Sequence, residues 1–202
     1  MVVVINQNLD PQKHIFALGR FVLEFSIVER NILDTLTTIC AVPALFTRAA
    51  LSGVRTDAAI GYLTRYFQIA IVDPKDVASV EEVAERLTPL NAARNLILHH
   101  GIEAAGIGLV ATDRLRALTD ERTKTIPVSA SILDEMTDDL QKINFMLLAV
   151  ILNHHDIQLA DDPSADAVLK RPWRYTPPPQ SEPKKRKDQK NQPRREGPKR
   201  PL

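Results

Sequence analysis

Eleven residues, Asn91-Ala-Ala-Arg94-Asn95-Leu-Ile-Leu-His99-His100-Gly101, hold the chain's most reactive grouping. Most of the segment continues an apolar helical pattern, yet Arg94, Asn95, His99 and His100 fall in its last two turns. Asn95 and His99 are four apart and share a face. Arg94 and His99 are five apart, so they diverge by roughly 140° and sit roughly 7.5 Å apart along the axis. A long guanidinium can lean toward the imidazole, or each can meet its counterpart across a helix pair. The C-terminal end of a helix carries partial negative charge and suits a cationic side chain at His99 or His100. Arg94 is a fixed positive fork shaped for phosphate. Together these groups make an anion-binding, proton-transferring pair that needs no metal.

Glu29 enters from elsewhere in the chain. It stands in an otherwise apolar stripe, and a carboxylate facing a bundle interior needs a cation. Arg94, on another core helix, is the expected partner, with Glu29 holding it in place. The competing readings are structural: a buried Arg–Glu pair with a C-capping His, or a rotated seam that leaves Glu29 in solvent.

The elements that must position these groups are legible from caps and periodicity. Asp10 and Pro11 open a first helix, because Asp accepts orphan N–H groups and Pro suits the first helical position. Ile15, Leu18, Val22, Phe25, Glu29, Ile32, Leu36 and Ile39 recur at spacings of three and four and define its inner face. A second helical region runs from about Pro43 to Ile71. It breaks near Ser52-Gly53, and Thr56-Asp57 caps its second half. Asp73-Pro74 is a turn. The third region starts near Asp76 or Ser79 and runs to His100, interrupted at Pro89, with Gly101 as a left-handed cap. Residues 102–128 read as a short β-hairpin or an irregular excursion. Ser131-Ile-Leu-Asp134 resembles a capping box that opens a last helix to about Asn153, with Ile132, Met136, Leu140, Ile143, Leu147, Val150 and Ile151 inward. Asp161-Asp162-Pro163 closes the ordered part.

Composition narrows the class. The 202 residues are 44% hydrophobic with only 7 Gly, a balance that favours packed helices. One cysteine, Cys40, excludes an intramolecular disulfide and fits a reducing, cytoplasmic setting. The start MVVVINQNLD lacks the pattern of a signal peptide, and the apolar run Phe145 to Leu152 is too short to span a bilayer. From Lys170 onward there are twelve Lys/Arg and three Asp/Glu, a balance of +9; the first 169 residues carry −8, consistent with the overall +1. Residues 171–202 hold eight of the 14 prolines and no aromatic after Tyr175, a composition that reads as disordered, with Trp173 and Tyr175 packing back on the domain edge. Such a tail suits phosphate contacts with nucleic acid or an acidic partner. His154-His155-Asp156 with His99-His100 makes a poor metal site, since adjacent helical residues point about 100° apart.

Arg94-Asn95, three further residues and His99 resemble the signature of the HEPN superfamily (higher eukaryotes and prokaryotes nucleotide-binding domains), and His100 also fits its spacing. The resemblance implies a small helical bundle, a homodimer in which both motifs line one cleft, and no metal or cofactor. It implies metal-independent cleavage of RNA through a 2′,3′-cyclic phosphate, with His99 as general base or acid, Arg94 stabilising the phosphorane and Asn95 orienting either. It also implies a toxin–antitoxin or phage-defence setting and a cognate antitoxin or other protein partner. The alternative is a non-catalytic helical protein–protein interaction module with a basic tail. The expected architecture is all-α: an up-and-down bundle of four to six helices over residues 1–165, with a short hairpin near 102–128 and a disordered basic tail over 166–202.

Overall fold

A computed structural model describes residues 10–39, 43–70, 73–105, 108–118, 123–155 and 163–179. Among them are six helices and a three-stranded antiparallel sheet. The first helix, α1, spans Pro11–Ile39, and Asp10 Oδ1 accepts from the backbone N–H groups of Gln12 and Lys13 at 3.0 and 3.2 Å. Its inner line runs through His14, Ala17, Phe21, Phe25, Val28 and Ile32. The expected stripe is therefore rotated over its first half: Ile15 is 68% exposed, and Phe16 beside it is 69% exposed. Apolar residues flank the true seam on its outer side, while the seam itself uses a small Ala17 and a polar His14.

His14 is buried, and neither ring nitrogen has a hydrogen-bond partner among the described residues. Burial pushes its pKa below the ordinary 6.5. The neutral ring is the folded form, so the unfolded chain takes up the proton more readily. This group's stability contribution is present above pH 6.5 and is lost as pH falls through the depressed folded value. His14→Leu removes two unsatisfied nitrogens and is expected to raise stability by roughly 1–3 kcal/mol. Urea midpoints measured at pH 7 and pH 5 should fall less on acidification in this variant than in the wild type.

Helices α2 (Ala44–Leu51) and α3 (Thr56–Ile69) are separated where Gly53 takes a positive φ of 75°. Thr56 does not cap α3. Arg55 holds that place, and the Thr56 hydroxyl turns inward instead. Helix α4 spans Pro74–His100, with Asp73 accepting from Lys75 N at 2.9 Å and Pro74 in the first turn. Pro89 does not interrupt it. The ring removes one backbone bond, but Leu87 and Leu90 on either side are each 1% exposed, and this packing holds the helix through the defect.

Gly101, at φ 86°, turns the chain into β1 (Ile102–Ala105), which pairs with β2 (Gly108–Thr112); β3 (Thr125–Pro127) pairs with β2. The hairpin thus has a third strand. Its buried Ala111, Ile126 and Val128 join the helical core. Helix α5 spans Ala130–His154 and is capped two residues before the expected position: Ser129 Oγ accepts from Ile132 N at 3.3 Å. Ser131 contacts Ser129 instead, and Asp134 pairs with Arg20.

The core gathers Phe21, Phe25 and Ile32 of α1, Leu63 of α3, Leu87 and Leu90 of α4, and Leu133, Leu140 and Leu147 of α5. Helices α3, α4 and α5 alternate in direction: Gln68 meets Glu81, and Asn153 meets Asp76. Helix α1 joins them parallel to α5, shown by Arg20–Asp134 at 3.3 Å and Asn31–Asn144 at 3.0 Å. No helix among the described residues is long and apolar enough to cross a membrane.

The ordered chain continues past the expected boundary at 166. Helix α6 (Pro163–Leu169) packs on α5, and residues 170–179 lie across α4 and α5. The proline-rich composition that reads as disorder is overridden here by a buried acceptor, Asp139, which fixes the backbone of Arg174 and Tyr175. Residues 1–9, Cys40, Asp156, Asp161-Asp162 and the basic segment from 180 lie outside the described residues.

Candidate functional site

Arg94 projects from α4 toward α1. Its Nη2 lies 4.0 Å from Glu29 Oε1, with the side chains 26% and 35% exposed. Its Nη1 donates to Asn95 Oδ1 at 3.1 Å, and the guanidinium stands 5.5 Å above the Phe25 ring centroid. Glu29 receives a shorter bond from elsewhere: Thr56 Oγ1 donates to Oε1 at 2.6 Å. The order of contacts explains the arrangement. Phe25 is part of the core floor, Glu29 is steered by Thr56 at the start of α3, and Arg94 rests over both.

A 4.0 Å ion pair on half-buried side chains adds little by itself to stability. Its effect is orientation. The guanidinium is held from below and from one side, and part of it still faces solvent.

His99 sits on the last turn of α4 and is exposed; His100 is half-buried. Neither shares a hydrogen bond or ion pair with Arg94, Asn95 or Glu29 among the described residues. The five-residue spacing on an unbroken helix directs Arg94 and His99 to different sides. One chain thus brings Glu29, Arg94 and Asn95 together and leaves His99 apart. His154 and His155 stack edge to face at 5.4 Å, at the end of a different helix.

Thr56 and Phe25 were not legible as site residues. Thr56 reads as a cap, since a hydroxyl in a first turn ordinarily serves that role. Phe25 reads as plain core. Only the packing of α1 against α3 and α4 gives either a part in placing Arg94.

A second polar group, also unforeseen, lies on the opposite side of α4. A cavity of about 280 Å³ is lined by Glu85, Arg86 and Pro89 of α4, Asp139 of α5, and Tyr175 and Pro177. Asp139 is only 4% exposed. Burial pushes its carboxyl above the usual carboxylate range, opposed by the N–H groups of Arg174 and Tyr175 and the nearby Arg86 charge. A faint signal exists in the sequence: Asp139 is the one charged residue on the buried face of α5, which otherwise holds apolar residues and Thr137.

No family model, curated protein or solved structure matches the chain. The HEPN resemblance therefore stands on the residues themselves.

Proposed function

We propose that this domain is a HEPN-like, metal-independent endoribonuclease that acts as a homodimer. The observation that carries the reading is Arg94, positioned by Phe25, Glu29 and Asn95 yet still partly open to solvent. A phosphate-binding arginine needs part of its fork open to solvent, and this one keeps it while its stem and one edge are held. The exposed His99 supplies a proton-transfer group on the same helix.

Since one chain directs the two apart, the working site combines Arg94 of one protomer with the second protomer's copy of His99. The 2′-oxygen of the substrate attacks the adjacent phosphorus as His99 removes its proton. The bond from phosphorus to the 5′-oxygen breaks, and that oxygen takes a proton from a second acid, either water or the other imidazolium. The products are a 2′,3′-cyclic phosphate and a 5′-hydroxyl. Arg94 balances the charge that builds on the non-bridging oxygens. Asn95 and Glu29 hold Arg94 in register. A toxin–antitoxin or phage-defence role, with a cognate protein that silences the site, follows from the same reading.

The test is degradation of single-stranded RNA by the intact chain in EDTA. Cleavage is expected to persist, to leave cyclic-phosphate ends and to be lost in Arg94→Ala with native circular dichroism. Absence of cleavage on every RNA tried by a confirmed dimer counts against the reading.

The dimer face is expected on the outer side of α1, where Ile15, Phe16 and Leu23 are 68%, 69% and 60% exposed. Phe16→Glu with Leu23→Glu should leave the helical signal intact and halve the mass measured by light scattering. An unchanged mass places the interface elsewhere. These same side chains favour the second reading, a non-catalytic module whose helical face binds a protein partner.

A further inference from the structure

Residues 171–175, Arg-Pro-Trp-Arg-Tyr, are held across α4 and α5 by contacts that read both side chains and backbone. Asp139 Oδ1 and Oδ2 accept from the consecutive amides of Arg174 and Tyr175, each at 2.9 Å. Trp173 meets two cations, with Arg86 Cζ 5.1 Å and Lys142 Nζ 4.5 Å from its ring centroid, while its indole N–H donates to Glu82 at 2.7 Å. Asp138 pairs with both arginines, Arg171 at 3.7 Å and Arg174 more closely. Lys142 Nζ also donates to the carbonyl of Arg171 at 2.7 Å.

Each contact restricts the occupant. Two amides must point the same way from adjacent residues, so neither of those residues is proline. The residue before them must carry an indole-like ring with a donor. Basic residues must flank that ring on both sides to meet Asp138. This is how a groove recognises an extended peptide: main-chain bonds supply affinity and side-chain slots supply selectivity. Helix interiors seldom bury a carboxylate, and Asp139 has no evident purpose except to receive such a backbone.

We propose that the α4–α5 face is a peptide-binding site for the pattern Arg-x-Trp-Arg-Tyr. It is filled here by the chain's own C-terminal segment, and a partner protein carrying the same basic, Trp-centred pattern engages the domain by displacing that segment. The proposal is independent of RNA cleavage, because it involves the opposite side of α4 from Arg94.

Trp173 is the chain's single tryptophan, which makes the test clean. The full chain carrying Trp173→Ala has no indole, so a synthetic peptide of residues 170–179 brings the one Trp in the mixture. Its emission, excited where tyrosine is silent, is expected to shift to the blue with saturation below about 1 mM, the effective concentration that a short tether supplies. The shift should vanish when Asp139→Ala is added to the chain, and a peptide with Trp and Arg positions scrambled should give none. No shift on a chain with native circular dichroism overturns the proposal, as does a shift insensitive to Asp139→Ala. Should Trp173→Ala not fold, Trp173→Phe is equally dark and keeps the ring.

Discussion

If the domain is the dimeric nuclease proposed above, mixing chains that carry Arg94→Ala with chains that carry His99→Ala is expected to restore roughly a quarter of wild-type RNA cleavage, although each variant alone falls by about 10²–10⁴-fold. The figure follows from symmetry. In a random mixture half of the dimers are mixed, and in a mixed dimer one of the two composite sites keeps an intact Arg94 and an intact His99. The result discriminates between geometries. If both groups acted from a single chain, every site would carry one defect and mixing would restore nothing. The structure supplies the reason to expect the composite form: Arg94 faces Phe25 and Glu29 of α1, whereas His99 lies exposed on the last turn, sharing no hydrogen bond or ion pair with it among the described residues. Initial rates on a fluorescent RNA, taken after dilution from denaturant so that chains can exchange, settle the matter.

Phe25→Ala should be the most damaging single change to the fold near this site. The ring is 1% exposed, packs against Phe21 at a centroid distance of 6.2 Å and lies under the Arg94 guanidinium. Truncation removes a large buried area and leaves a cavity, at a cost of about 3–5 kcal/mol in a urea titration. Phe25→Leu separates the two roles of the ring. It keeps most of the volume, so the loss should stay near or below about 1.5 kcal/mol. It also removes the aromatic face from beneath Arg94. If Phe25 positions the guanidinium, cleavage by Phe25→Leu drops at saturating RNA while the unfolding midpoint barely moves. Equal cleavage by the two chains would reduce Phe25 to packing alone.

Local signals carried the reading of the fold where backbone chemistry decides the outcome. Asp10-Pro11 starts a helix, Gly53 breaks one, Gly101 ends another, and residues 102–105 pair with 108–112 because these positions answer to their immediate neighbours. Tertiary choices were hidden. The seam of α1 is set by what it packs against, so Ile15 looked inward and Ala17 did not. Pro89 looked like a breaker, since its neighbours' burial is invisible in one dimension. Ser129 and Ser131 are equally good caps on paper. At the site, the charge of Glu29 within an apolar stripe pointed to a cation on another helix, and Arg94 stands there at 4.0 Å. Thr56 could not be found this way, because a hydroxyl in a first turn has a local role to play as well as a distant one. The return of Trp173 and Tyr175 to the domain was legible, since they are the last aromatics before the basic tail; the fixed backbone around them was not, and the buried Asp139 accounts for it.

The parallel pairing of α1 with α5 has a consequence for biosynthesis. The two helices form the most extensive helix contact in the domain, and partners such as Arg20 and Asp134 are 114 residues apart in the chain. Emerging vectorially from the ribosome, α1 cannot cover the part of its inner line that meets α5 until nearly the whole domain has been translated. At about 5–20 residues per second, its apolar surface waits for several seconds or more in a crowded polysome. Nascent chains of this protein should therefore engage holdase chaperones early and release them abruptly once α5 clears the exit tunnel.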